Sequence, residues 1–309
     1  MFVVCGEALM DVFAAGDTPT GTQLDARIGG SPFNVALGLA RLAQPIAFFS
    51  AISTGFLGER LMQALRAEGV DTSSVARVDA PTTLGLVGLD AQGVPSYSFY
   101  GEGCADRLLH MDDLARLPQQ ISAVQVGSFA TVVGPIAATL RALIEREHRR
   151  TPICYDPNVR LNVEPDLAHW REMLAWMLPR THLLKISEED LALLRPGLGL
   201  AQFAGEALAA GVRLVVVTRG AEGACAWTRS GEAAVPARAL TVIDTVGAGD
   251  TFQAALLTWL AEHGCLEIEA IGTLSSQQLE AVLDFAVQAA AITCGRRGAD
   301  LPRRSELPR

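Results

Sequence analysis

The sequence predicts an α/β fold of three layers, with a mostly parallel sheet between helices and a small β-sheet lid. Three observations carry this reading. Short apolar, often β-branched runs alternate with amphipathic stretches of helical period, as in a parallel sheet covered on both faces. Two segments break that rhythm with the alternation of a sheet that has one exposed face. Half of the 309 residues are hydrophobic and 19% are charged, enough apolar material for a substantial core. The expectation is one domain over 1–309, its lid formed by about 12–30 and 82–104.

The start, MFVVCGEALMDVFAA, is apolar but lacks a basic leading region and is interrupted by Glu7 and Asp11, so it reads as a first strand rather than a signal peptide. Residues 12–30 are rich in Gly and Thr without helical period and are assigned to the lid. In GGSPFNVALGLARL (29–42), Ser31 reads as a helix cap and Pro32 as a first-turn residue, where no N–H is needed. IAFFSAI (46–52) is the next strand, and 56–68 a helix. TTLGLVGLDAQGVPSYSFYG (82–101) reads as a hairpin turning at Gln92-Gly93. Strands follow at 122–128, 152–157, 182–186 and 213–218, with helices at 135–149, 166–178 and 199–210 between them. Two long helical patterns, 248–263 and 276–294, close the chain.

The net charge of −9 argues against a polyanion partner, so no nucleic acid is expected; Arg296, Arg297, Arg303 and Arg304 are the local exception, which a solvated tail explains about as well. Six scattered cysteines form no CxxC pair, and Cys5, Cys154 and Cys225 fall in strand-like runs, as buried thiols do. No stretch reaches the roughly 20 apolar residues of a membrane span. The expectation is a cytoplasmic protein without a membrane partner.

The most informative stretch is DTVGAGD (244–250). A helix begins with unpaired N–H groups and the positive end of its dipole. A turn of Gly247, Ala248 and Gly249 leading into a helix lets those groups close around an anion, because no Cβ obstructs the approach. A carboxylate beside a polyphosphate is repelled unless a hydroxyl stands between them. Asp250 then accepts the proton of that hydroxyl as its oxygen attacks the γ-phosphorus, while the N–H groups hold the developing charge. The competing reading is a helix cap, with Asp250 as N-cap. Two other phosphate patterns are absent. GxxxxGK[ST] needs a lysine in the loop, whereas the single lysine, Lys185, ends a strand; GxGxxG fails because Phe252 stands where the third glycine belongs.

GGSPFNVALGLARL and DTVGAGD, some 200 residues apart, together resemble the two signatures of the ribokinase-like (PfkB) family of carbohydrate kinases, and the likeness covers essentially the whole chain. It implies a ribokinase-like core and an ATP- and Mg2+-dependent sugar kinase, with K+ as a further cation. It assigns Asp11, Gly29, Gly30 and Asn34 to the sugar and Asp250, with the Gly247–Gly249 turn, to catalysis. Ser187, Thr218, Gly220, Gly223 and Gly249 are assigned to the nucleotide, with helix 276–294 flanking adenine. Ser187-Glu188-Glu189-Asp190 stands where the family has Asn-x-x-Glu, leaving Glu189 and Asp190 as alternatives for organising magnesium through water. Main-chain oxygens near Asp244, Val246 and 296–298 are implied for the monovalent cation. Paired lids imply a homodimer.

GGSPFNVALGLARL, YSFYGEGCADR (97–107) and YDPNVR (155–160) are most similar to bacterial fructokinases, with 2-keto-3-deoxygluconate kinases close behind and ribokinases further off. Fructose is the expected acceptor. Phe99 and Tyr97 fit the sugar face of the lid, or its packing. Arg107 and Arg160 suit an acidic acceptor or the transferred phosphate, and Arg160 is alternatively a surface partner of Glu164. A protein of this fold retained as a sugar-binding module without catalysis is a third reading, opposed by the intact Asp250 and glycine turn.

Overall fold

The computed structural model describes residues 1–89 and 95–308. The opening apolar run makes two strands rather than one: β1 (Phe2–Cys5) and β2 (Leu9–Thr18), in different sheets. The break falls at Gly6, whose φ of 144° is unavailable to most side chains and whose Cβ position is filled by the Pro32 ring. β3 (Gly21–Gly29) then leads into α1 (Ser31–Arg41). IAFFSAI divides in the same way, into β4 (Ile46–Phe49) and β5 (Ala51–Ser53). Next come α2 (Phe56–Ala67), β6 (Ala76–Val78), β7 (Leu84–Leu89) and β8 (Pro95–Tyr100). The expected hairpin turn at Gln92-Gly93 lies outside the described residues.

The second half alternates as its periodicity predicts. β9 (Ala123–Gly127), α3 (Ile136–Glu147), β10 (Ile153–Asp156), α4 (Leu167–Met177), β11 (Leu183–Ser187), α5 (Glu188–Leu194), α6 (Leu200–Ala210) and β12 (Leu214–Thr218) follow in turn. β13 (Ala224–Trp227), β14 (Glu232–Val235), α7 (Ala248–Glu262), α8 (Ile268–Ile271) and α9 (Ser276–Cys294) complete the chain.

The central sheet has eight strands in the order β14-β13-β12-β11-β10-β9-β1-β4, parallel from β12 to β4, with β13 and β14 antiparallel at one edge. Strand alternation divides its side chains between two cores. Phe2 and Val4 join the core beneath α1, α7 and α9, whereas Val3 and Cys5 join the core beneath α3, α4 and α6. The sheet is thus covered on both faces, which explains its near-continuous hydrophobic strands. A separate four-stranded sheet, β3-β2-β7-β8, carries the alternating segments. Along β2 burial fades from Leu9 to an exposed end, so only the root of that sheet packs on the core.

Cys5 and Cys154 are buried, as expected, but Cys225 is partly exposed; all the cysteines are free thiols. Among the described residues, no helix is long and apolar enough to cross a membrane.

Candidate active site

The sheet's parallel strands end on one edge, where α/β proteins bind ligands. There α7 begins at the DTVGAGD turn. Its N-cap is Gly247, in the left-handed region at φ 79°. Asp250 is therefore the third residue of the helix, not its cap, and its side chain bonds elsewhere. Thr251 fastens the turn: its hydroxyl donates to the Gly247 carbonyl and lies 2.8 Å from the Thr293 hydroxyl of α9. The Ala248 N–H turns back to the Thr245 carbonyl at 3.2 Å, whereas those of Gly249 and Asp250 find no backbone acceptor among the described residues. Open N–H groups of this kind at a helix start can close around an anion.

The two signature motifs meet at Asp250. Ser31 Oγ donates to Asp250 Oδ1 at 2.6 Å, and Asn34 Nδ2 donates to Oδ2 at 2.8 Å. The expectation that Ser31 caps α1 is thereby corrected. Gly30 is the N-cap, without a side-chain bond, and Ser31 is the first helical residue, its hydroxyl turned to the carboxylate. Asn34, expected at the sugar, donates its amide to Asp250. Burial raises the Asp250 carboxyl above the usual range, opposed by Ser31, Asn34, Lys185 and Arg160.

Asp11 sits on β2 opposite two glycines. A Cβ on Gly29 would collide with Asp11 Oδ2, and one on Gly85 would lie 3.0 Å from Oδ1. Gly85, which the sequence reading missed, is its partner across the β2–β7 pair. Burial, helped by the nearby Asp250, pushes the Asp11 carboxyl up to about 6 against the pull of Arg160. Gly30 has φ 106°, and a Cβ there would meet the Glu7 carbonyl at 2.9 Å. Glu7 itself is buried, and burial pushes its carboxyl up to about 8, favouring the neutral form.

Arg160 is exposed and forms no ion pair with Glu164, which bonds the Asp166 N–H and His169 instead; its charge acts on Glu7, Asp11, Asp190 and Asp250. The Arg107 guanidinium lies 5.9 Å from the ring centres of both Phe99 and Phe129, which pack edge to face. The Tyr97 side chain lies outside the described residues.

On the next strands, Ser187 caps α5, its hydroxyl accepting from the Asp190 N–H at 3.0 Å. This occupies a group expected to touch the nucleotide. Glu189 is exposed, whereas Asp190 is buried, accepts from the Val159 N–H, and is pushed up to about 6 by burial and by Asp156. Lys185 Nζ bonds Asp156 Oδ2 at 2.8 Å and lies 3.3 Å from the Cβ position of Gly249. The sequence reading set this lysine aside because it belongs to no glycine loop; the fold brings it to one. Thr218 ends β12. Beyond it Gly220 is open, but Gly223 faces the backbone of 235–237 so closely that a Cβ would collide, a packing reason for that glycine. A cavity of about 470 Å³ is lined by Arg238 and by Gln288, Ala291 and Ile292 of α9. The Asp244 carboxylate accepts from the N–H groups of Val246 and Gly298, joining the two segments expected around a monovalent cation.

The pfkB family carbohydrate kinase pattern matches residues 1–306. The chain belongs to that family. This carbohydrate kinase is 36% identical over 311 residues to a fructokinase of Rhizobium leguminosarum bv. trifolii, covering 99% of this chain and 92% of the relative. Its fold matches an ATP-bound fructokinase of Xylella fastidiosa, with a TM-score of 0.86 and 25% identity, over 99% of this chain and 96% of that one. It also matches a fructokinase of Vibrio cholerae O395 bound to fructose, ADP and calcium, with a TM-score of 0.81 and 25% identity, over 99% and 96% of the chains.

The two turn glycines of this kinase answer to different constraints. Valine at Gly247 must adopt a left-handed φ and meets Ala299 Cβ at 2.6 Å and Cα at 2.9 Å. Gly247→Val is expected to lower stability by about 2 kcal/mol or more, read as a fall in Tm. Gly249 has no such backbone constraint, and a side chain there presses on Lys185 and the open N–H groups. Gly249→Val is expected to lower kcat while leaving Tm and the sugar KM near wild type. Normal kcat together with unchanged nucleotide binding would reduce the turn to a helix start without a ligand.

Proposed function

We propose that this protein transfers the γ-phosphoryl group of ATP to a hydroxyl of fructose, giving fructose 6-phosphate. The observation that carries the reading is the Asp250 carboxylate, aimed by Ser31 and Asn34 beside the open N–H groups of the glycine turn. Sequence relatives named fructokinase, and a matching structure with fructose and ADP bound, support the acceptor and the donor.

In this reading Asp11 grips neighbouring sugar hydroxyls, with Gly29, Gly30 and Gly85 giving it room. The small second sheet covers the sugar, with Phe99 and Arg107 on the covering side, and its exposed end is the surface for a homodimer. Asp250 takes the proton of the attacking hydroxyl. The oxygen forms its bond to the γ-phosphorus, the bond to the β-bridging oxygen breaks, and ADP leaves with that electron pair. The N–H groups of Gly249 and Asp250 hold the charge that develops. The turn after Thr218, with Gly220, lies toward the phosphates, and the cavity at Arg238 and Gln288 takes the adenine.

Magnesium suits this edge. Mg2+ is usually held by one or two carboxylates together with substrate phosphates. Asp190 is buried beside Asp156, whose Oδ1 has no partner, so these carboxylates, rather than the exposed Glu189, would hold it through water. When bound, it neutralises charge on the phosphates. The loop joined by Asp244 and Gly298 is the proposed K+ site.

The unpaired Arg160 near Asp11 also favours an acidic acceptor, which makes 2-keto-3-deoxygluconate the second reading. A panel measuring ADP release with MgATP decides between them. kcat/KM for fructose is expected to exceed that for the keto acid and for ribose at least about tenfold, some 1.4 kcal/mol of transition-state discrimination. Preference for the keto acid, lost in Arg160→Ala, would overturn fructose and keep the kinase.

A further inference from the structure

Lys185 occupies a position that strand alternation assigns to the core. It shares its face of β11 with Leu183, and the residue paired with it on β12 is Val216; both belong to the apolar core beneath α7. The residue is 5% exposed. An ammonium carries three donors and is costly to bury without partners. Among the described residues only one of its donors has an acceptor, Asp156 Oδ2 at 2.8 Å, and the other oxygen of that carboxylate is buried without a partner. A pair needed only to fill the core would be replaced by apolar residues at little cost. This pair is instead half satisfied, and it stands 3.3 Å from the Cβ position of Gly249, where the anion cradle opens.

The charge around that cradle gives the pair its purpose. Asp250, Asp156, Asp190 and Asp11 all gather at this edge, and among the described residues Lys185 and Arg160 are the cations acting on Asp250 and Asp190. A transferred phosphoryl group entering so acidic a neighbourhood needs a fixed cation on the protein side. Arg160 is exposed; Lys185 is buried and tethered to Asp156.

We propose that Lys185 is a catalytic residue, its ammonium contacting the transferred phosphoryl group at the Gly249 turn while Asp156 holds it in place. Lys185 forms no covalent bond. It offers its free donors to the non-bridging oxygens as the acceptor oxygen attacks, Asp250 takes the proton, and ADP departs with the bridging electron pair. The proposal rests on the kinase reading above but not on which sugar is the acceptor.

The sequence makes a direct test available, because Lys185 is the only lysine of the chain. Full-length protein grown with lysine labelled at Cε and Nζ shows a single side-chain signal. MgADP with beryllium fluoride, a mimic of the γ-phosphoryl group, is expected to shift that signal, and fructose alone to leave it in place. This readout needs no turnover, so it separates failure of the lysine assignment from failure of the fructose assignment. In parallel, Lys185→Met is expected to lower kcat at least about a hundredfold with KM for fructose changed less than about threefold, and Lys185→Arg to recover part of the loss. Because Lys185→Met leaves Asp156 buried without its partner, its Tm and fructose KM are read alongside kcat to guard against simple unfolding, and the lysine signal is read on the wild-type protein. Wild-type kcat in Lys185→Met, or an unmoved lysine signal in the presence of the phosphoryl mimic, would overturn the proposal and leave Lys185 as a counter-ion to Asp156.

Discussion

Asp250→Asn is expected to lower kcat by about 100- to 10,000-fold while leaving the fold and fructose affinity intact, the loss typical of a missing general base. The variant is nearly isosteric: its amide oxygen can accept from Asn34 Nδ2 while its NH2 donates to Ser31 Oγ, and the start of α7, anchored separately by Thr251, is undisturbed. What disappears is the proton acceptor. Burial raises the basicity of Asp250 while four surrounding donors and cations restrain it, a balance an amide cannot reproduce. Steady-state kinetics and calorimetric fructose binding on the same preparation separate the two effects. A variant keeping more than a tenth of wild-type kcat would remove Asp250 from the base role.

Asp11→Ala is expected to raise the fructose KM steeply with ATP binding unchanged. Two hydrogen bonds to a charged acceptor are worth about 1.5–3 kcal/mol each, so their loss amounts to about a hundredfold or more. Asp11 also carries a pH signature. Its carboxyl is pushed up to about 6, chiefly by burial, so in the sugar-free enzyme the acceptor form is lost as pH falls through that value. kcat/KM for fructose should therefore decline below about pH 6, and Asp11→Asn should remove that inflection. An equal loss of ATP affinity in Asp11→Ala would make the residue a support of the second sheet rather than a sugar ligand.

The sequence marks some of this site clearly and leaves other parts unmarked, for physical reasons. DTVGAGD is legible because consecutive small residues at a helix start leave room for an anion, and an acid closing that turn needs a further reason, a pattern with few other uses. The central sheet is legible because strands buried on both faces must be apolar along most of their length, and residues 153–155 and 214–217 are. Ser31 misleads because Ser-Pro before a helical run suits a cap, and only the distant arrival of α7 shows where its hydroxyl goes. Lys185 leaves no spacing signal: it stands alone in an apolar strand, and its significance lies in two neighbours, Asp156 and Gly249, that are remote along the chain. The breaks at Gly6 and after Phe49 are hidden for a related reason, since an apolar run reads the same whether one sheet or two receive it.

The Gly6 break has a mechanical consequence. Only Gly6, Glu7 and Ala8 join β1 of the central sheet to β2 of the small one. A strand advances about 3.3 Å per residue, so Asp11 stands about 10 Å from Ala8, and Thr18 about three times as far. Any swing of the small sheet about this joint is a lever with a short inner arm and a long outer one. Its outer end would move about three times as far as Asp11, which stands near the pivot. The residue proposed to grip the sugar is thus carried where the motion is smallest.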